Sequence, residues 1–238
     1  MKKILLLVLV SNFLLAINMV PLISTLDSKK KKNIIFKVSN PTAEPVAVSF
    51  SVLKVLGVEN GKEQRESTSI VQAYPSQFVL SPNETKSVRV RYMGRTLPNI
   101  EEIYRVVAQE LNIDVGDNKD IDTKGKVSAK IKMRFSYEGL LFVHKKEAKE
   151  KIKIDSFNHT ENGLSLMMSN SGNMNGIPSL EDYNYFASLN KKEYLLKEKD
   201  LKGLIYSRVL AGKTATYLLK NITSVPVDKI TSMRLEKK

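Results

Sequence analysis

Cysteine and tryptophan are absent from the 238 residues, and histidine occurs only twice. Without cysteine there is no disulfide framework, no thiolate metal site and no cysteine nucleophile. His144 and His159 lie fifteen residues apart and match no zinc-ligand spacing. Both read as ordinary surface histidines, and no metal or other cofactor is expected. Acid is in deficit too: 25 Asp and Glu face 38 Lys and Arg, for a formal net charge of +13. A chain this basic either meets something acidic or stays soluble by self-repulsion. The 42% hydrophobic content suffices for the core of one large or two ordinary domains, which excludes a disordered polyelectrolyte.

The one long apolar stretch stands at the beginning, MKKILLLVLVSNFLLAI. Lys2 and Lys3 make a positive start and Ile4 to Ala16 an apolar segment broken by Ser11 and Asn12, the pattern of a cleaved signal peptide over residues 1–16. Leu14-Leu15-Ala16 is a poor small-x-small site, so the boundary could also fall a few residues later. The segment is shorter than the roughly 20 residues a membrane-spanning helix needs, so no stable membrane insertion is expected. Removing it takes two lysines and no acid, leaving +13 − 2 = +11. Export argues against an intracellular nucleic-acid role.

Beyond Pro21 the sequence breaks into short period-two alternations separated by Pro, Gly, Asn and Asp, as half-buried antiparallel strands do. Ile34, Phe36 and Val38 alternate ahead of Asn40-Pro41, and Val46, Val48, Phe50 and Val52 ahead of Gly57. A polar loop is expected over Glu59 to Thr68. Phe78 and Leu80 precede the turn signal Ser81-Pro82-Asn83, then Val88, Val90 and Tyr92 alternate with Arg89 and Arg91. Ile103 to Leu111 is apolar on both faces and reads as a central strand. After a loop over Asp114 to Lys126, Val127, Ala129, Ile131, Met133 and Phe135 alternate with Ser128, Lys130, Lys132 and Arg134. About seven strands in some 120 residues is the spacing of an immunoglobulin-like sandwich. The expected organisation is an N-terminal domain over 17–143, a charged linker over 144–150 and a smaller β domain over 151–238. Its strands are read at Leu164 to Met168, Tyr185 to Leu189, Tyr194 to Leu196 and Thr216 to Leu219.

Several segments, in order, resemble the periplasmic chaperones of the chaperone–usher pathway. Phe36-Lys-Val-Ser-Asn40 followed by Pro45-Val-Ala-Val-Ser resembles that family's early strand, turn and next strand. Phe78 to Val90 (FVLSPNETKSVRV) resembles its P-x-x-F-x-L-x-P-G-x-x-x-x-V-R region, with Asn83 in place of glycine. Glu101 to Leu111 is similar to its E-x-x-Y-R strand, with Asn112 in place of the usual proline, and Lys130 to Met133 to the end of its subunit-binding strand. Leu164 to Asn173 and Arg208 to Thr214 resemble the variant called archaic.

The resemblance implies an all-β protein of two immunoglobulin-like β-sandwich domains in a boomerang arrangement, working in the periplasm. It implies capture of fimbrial or pilus subunits that lack their last strand, and delivery to an outer-membrane usher. The chaperone lends an edge strand whose alternate apolar side chains enter the subunit groove, a mode known as β-augmentation. Val127, Ala129 and Ile131 would be those side chains. Lys132, with Lys130 on the same face, would anchor the subunit's C-terminal carboxylate by charge-assisted hydrogen bonding. From periodicity alone the same strand reads rather as the inward face of the domain's own sheet; the resemblance reverses that preference. The family's second basic anchor, an arginine on the first strand, has no counterpart in Val20 to Asp27, and one of Lys29 to Lys32 could substitute. Arg89 and Glu101 match positions of an interdomain salt bridge, and Arg91 takes the role of Arg89 if the register shifts by two. Self-association of the free chain is a further option.

No Ser-His-Asp arrangement, paired-carboxylate motif or phosphate-cradling loop stands out, so no enzyme is expected. Two other readings stay open: a secreted structural or adhesive β-sandwich, and a polyanion binder using Lys29 to Lys32 and Lys145 to Lys151.

Overall fold

The computed structural model describes residues 17–27, 32–59, 62–111, 134–202, 204, 208–220 and 222–238. Within them the regular secondary structure is strand, apart from two short 3-10 turns. In the first half these are β1 (Asn18–Val20), β2 (Ile23–Leu26), β3 (Asn33–Ser39), β4 (Val46–Glu59), β5 (Lys62–Ser67), β6 (Val71–Tyr74), β7 (Gln77–Leu80), β8 (Thr85–Tyr92), β9 (Glu102–Glu110) and β10 (Ser136–Val143). The second half holds β11 (Ile152–Thr160), β12 (Gly163–Asn170), β13 (Tyr183–Leu189), β14 (Lys192–Leu195), β15 (Thr214–Leu219) and β16 (Ser232–Lys237).

The first ten strands make a sandwich. One sheet has the order β1-β3-β8-β6; the other runs β2-β10-β9-β4-β5, with β7 also on β4. Alternation decides which side chains fill the space between them. Phe36 and Val38 of β3, Val88 and Val90 of β8, Val48 and Phe50 of β4, and Tyr104, Val106 and Ala108 of β9 are buried in one cluster. Phe36 and Phe50 meet across the layers, ring centroids 6.0 Å apart. β9 is central, flanked by β10 and β4, with Tyr104, Val106 and Ala108 turned into the core and Arg105, Val107 and Gln109 on the outward face. Ile17 and Met19 are fully buried in the same core.

The last six strands make a smaller sandwich of β11-β12-β15 against β14-β13-β16. Leu164, Leu166 and Met168 of β12 face Tyr185, Ala187 and Leu189 of β13 in a second core. Each sandwich also closes a strand end with a buried asparagine. Asn40 Nδ2 donates to the carbonyls of Glu44, Leu80 and Ser81 while its Oδ1 accepts from the Thr42 N–H and hydroxyl. Asn170 Nδ2 donates to Met174 and Val209 carbonyls, and its Oδ1 accepts from the Lys151 and Gly172 N–H groups. A buried amide with its donors and acceptor engaged avoids the cost of an unmade hydrogen bond.

One expectation changes, and one strand had none. The polar stretch after Glu59 is not a loop: β5 pairs with the end of β4 across a bulge between Val55 and Gly57. As an edge strand with polar side chains on both faces, it carries no apolar alternation. Residues Ser136 to Val143, where the sequence reading named no element, form a full strand on β9; Leu141, Phe142 and Val143 are buried consecutively, so no alternation marks it.

Candidate functional site

β10 is paired along its whole length on one side and, among the described residues, along only half of it on the other. On one side all eight of its residues pair with β9, from Ser136 opposite Gln109 to Val143 opposite Glu102. On the other, parallel β2 reaches only Leu140 to Val143. Among the described residues no strand pairs with Ser136 to Gly139 on that side. The backbones of β2 and β10 close together at Gly139, where a Cβ would lie 2.9 Å from the Leu22 carbonyl oxygen; Leu140 N donates to that oxygen at 2.7 Å. Leu22 and Ile23 beside this rim are 51% and 64% exposed. An open strand edge flanked by exposed apolar side chains is a template for another chain's strand.

The outward face of the same sheet carries a ladder of ion pairs. Arg65 of β5 donates through both Nη atoms to Glu138 of β10, at 2.9 and 2.8 Å, and through Nε to Glu63 at 2.5 Å. Arg105 of β9 donates to both Glu63 oxygens. Burial alone would raise the Glu63 carboxyl, but the guanidiniums of Arg105 and Arg65 hold it below the usual carboxylate range. On the inward side, at the end of the sandwich, Lys54 meets Glu102 at 2.9 Å, and the buried Tyr104 hydroxyl donates to Glu102 Oε2 at 2.6 Å.

Where the sandwiches meet, the central residue is Glu101, whose side chain is 2% exposed. Its N–H donates to the Asn173 carbonyl at 2.9 Å, and its Oε1 accepts from the Asn175 N–H at 3.1 Å. His144 Nε2 stands 3.7 Å from Oε2. Arg208 stacks over the Phe142 ring at 4.8 Å and donates to Asn175 Oδ1. Burial pushes the Glu101 carboxyl up, against the opposing pull of the Asn175 N–H, His144 and Arg208; burial likewise lowers Arg208. Beside this seam, Lys54, Ile100, Glu102, Leu210 and Lys213 help line a cleft of about 260 Å3.

The structure therefore does not bring Arg89 to Glu101. Val88, Val90 and Tyr92 take the inward positions of β8, so Arg89 and Arg91 point to solvent on the four-stranded sheet, opposite Ile35 and Asn33. Glu101 precedes β9 in the other sheet. The basic groups beside it are His144 and Arg208, neither assigned that place from the sequence: His144 read as a surface residue, and Arg208 carried no charge pattern. The subunit-binding candidates Val127, Ala129, Lys130, Ile131 and Lys132 lie outside the described residues, as do the signal segment 1–16 and Lys29 to Lys31. Lys32 is committed locally, its Nζ donating to the Gly94 and Arg95 carbonyls at 2.8 and 2.9 Å.

Two immunoglobulin-like sandwiches joined at a buried carboxylate, the first with a half-open strand, define a class of two-domain β-sandwich proteins. Solved structures share this fold at low identity. A chain of the chaperone–tip adhesin complex of CFA/I fimbriae biogenesis has a TM-score of 0.60 at 18% identity, covering 94% of this chain and 98% of that one. The class 5 fimbriae chaperone CfaA gives 0.62 at 15%, covering 93% and 98%. A chain of the CsuC–CsuE pre-assembly complex, from the archaic chaperone–usher Csu pili of Acinetobacter baumannii, gives 0.58 at 15%, covering 93% and 97%. No curated protein matches in sequence. Over residues 20–145 the chain matches the family described as pili and flagellar-assembly chaperone, PapD N-terminal domain, and it belongs to that family. That is a chaperone family, not an enzyme class.

Proposed function

We propose that this protein is a periplasmic chaperone that holds fimbrial subunits by donor-strand complementation and passes them to an outer-membrane usher. The observation that carries the reading is the half-open edge of β10. The chain enters β10 directly from the segment containing Lys126 to Met133. If the alternation of β10 continues backward through that segment, Val127, Ala129 and Ile131 share a face with Tyr137 and Leu141. Lys130 and Lys132 then share the other face with Glu138, on the side of the ion-pair ladder.

In that arrangement the donated strand completes the subunit's unfinished sheet through main-chain hydrogen bonds, its apolar side chains fill the subunit groove, and Lys132 meets the terminal carboxylate. Glu101, with Asn175, His144 and Arg208, fixes how the second domain flanks the donated strand. A buried charge in such a seam contributes more to geometry than to net stability, because desolvation offsets attraction. Residues 1–16 serve as the export signal. Cleavage beyond Met19 would delete β1 and two fully buried core residues, which favours a boundary before Ile17. The domains are then 17–143 and 151–238, joined by 144–150.

Co-expression with a fimbrial subunit that is insoluble alone tests the reading. A soluble 1:1 complex is expected; a subunit that stays aggregated beside abundant soluble chaperone contradicts it.

A further inference from the structure

The outward face of the four-stranded sheet is basic and uncompensated. Its exposed positions include Lys37 of β3, Arg89 and Arg91 of β8, and the apolar or aromatic Val20, Ile35 and Tyr74, which are 49%, 41% and 80% exposed. The remaining outward positions are neutral and polar, and no Asp or Glu stands among them. On the outward face of the other sheet, by contrast, the arginines are matched: Arg65 with Glu63 and Glu138, and Arg105 with Glu63. Among the described residues Lys37, Arg89 and Arg91 take part in no ion pair.

Strand register sets their spacing. Arg89 lies between Ile35 and Tyr74, Arg91 between Asn33 and Gln72, and Lys37 between Val20 and Ser87. Arg89 and Arg91, two residues apart on one strand, sit about 7 Å from each other. Like charges so placed repel unless an anionic surface covers them. The apolar side chains are each set beside a cation instead of being gathered into a dry centre. A protein-recognition patch concentrates its aromatic and apolar anchors in one desolvated cluster. Single apolar side chains interleaved with guanidiniums on a flat sheet suit shallow insertion between charged headgroups, with Arg forks on phosphate oxygens and the Tyr ring at the boundary.

We propose that this sheet face adsorbs reversibly to a membrane surface rich in anionic phospholipid. The proposal concerns the outward face of the sheet that does not contain β10, and it does not depend on subunit capture.

Flotation of the mature chain with vesicles tests it, using phosphatidylcholine alone or with about one-third phosphatidylglycerol. Binding is expected only to the anionic vesicles, with loss of most of it at roughly 0.5 M salt, where the screening length is a few ångström. Arg89→Gln with Arg91→Gln should lower the partition coefficient roughly 25-fold, at about fivefold per charge removed, with the melting temperature unchanged. Arg234→Gln, an exposed cation of the second domain, is the control and should bind as wild type. No binding to anionic vesicles overturns the proposal, and so does undiminished binding by the double variant. Retention on immobilised polyglutamate, dependent on Arg89 and Arg91 but without vesicle binding, also overturns it and assigns the face to an acidic protein.

Discussion

The Asn175 N–H donates to Glu101 Oε1 at 3.1 Å, so a carboxylate of the first sandwich caps a backbone group of the second. With Arg208 on the adjacent Asn175 side chain, the junction depends on an acid that burial disfavours in its charged form.

Glu101→Gln keeps an oxygen for Asn175 and removes the titration. Because burial raises the folded-state value of Glu101, its contribution to stability is greatest below the unfolded value of about 4.3 and is lost as pH rises through the folded one. Wild type should therefore lose stability relative to the Gln variant as pH rises from about 4 towards neutrality. Parallel melting curves across pH 4 to 8 check this. Glu101→Ala, which leaves the N–H unpaired and Arg208 without its acid, should cost about 1–3 kcal/mol.

Asp200 behaves oppositely. It is fully buried, and its oxygens accept from the N–H groups of Lys197, Thr223 and Ser224 and from the Ser224 hydroxyl. Burial would raise it, but these donors bring it down to about 2. The stabilisation it gives is complete above the unfolded value of about 3.9 and lost as pH falls towards 2. Asp200→Ala should cost about 2–4 kcal/mol at pH 7, measured by denaturant unfolding, and the gap to wild type should narrow below pH 4.

Gly139 lets β2 approach the edge of β10. Its Cβ in Gly139→Ala would meet the Leu22 carbonyl oxygen at 2.9 Å, which is backbone and cannot rotate away. A destabilisation of about 1–3 kcal/mol is expected, with faster amide exchange at Leu140, whose N–H donates to that oxygen.

The bidentate Arg65–Glu138 pair ties edge strand β5 to β10 across the sheet. Both side chains are partly exposed, so a double-mutant cycle with Arg65→Ala and Glu138→Ala should give a coupling of only about 0.5–1 kcal/mol. Near-zero coupling would make the pair ornamental to stability.

How much of this was legible in the sequence depends on which force acts at each position. Phe36, Val38, Phe50, Val88 and Val90 announce themselves, since a half-buried strand must alternate. β5 does not, because an edge strand can be polar on both faces and still pair. β10 is hidden by its run Leu140 to Val143, where core and junction bury both faces. Register across a junction leaves no local pattern either: Arg89 and Arg91 alternate as the motif resemblance requires, yet they point to solvent, while His144 and Arg208 reach Glu101 from far along the chain. Glu101 came from the motif resemblance alone; its partners were set by how the two sandwiches pack.

The most direct test of strand donation is amide exchange of Lys126 to Met133 in the free chaperone and in its purified complex with a fimbrial subunit. Main-chain pairing with the subunit predicts slowing by at least about tenfold across that segment. Exchange rates there that do not change on complex formation would contradict the account.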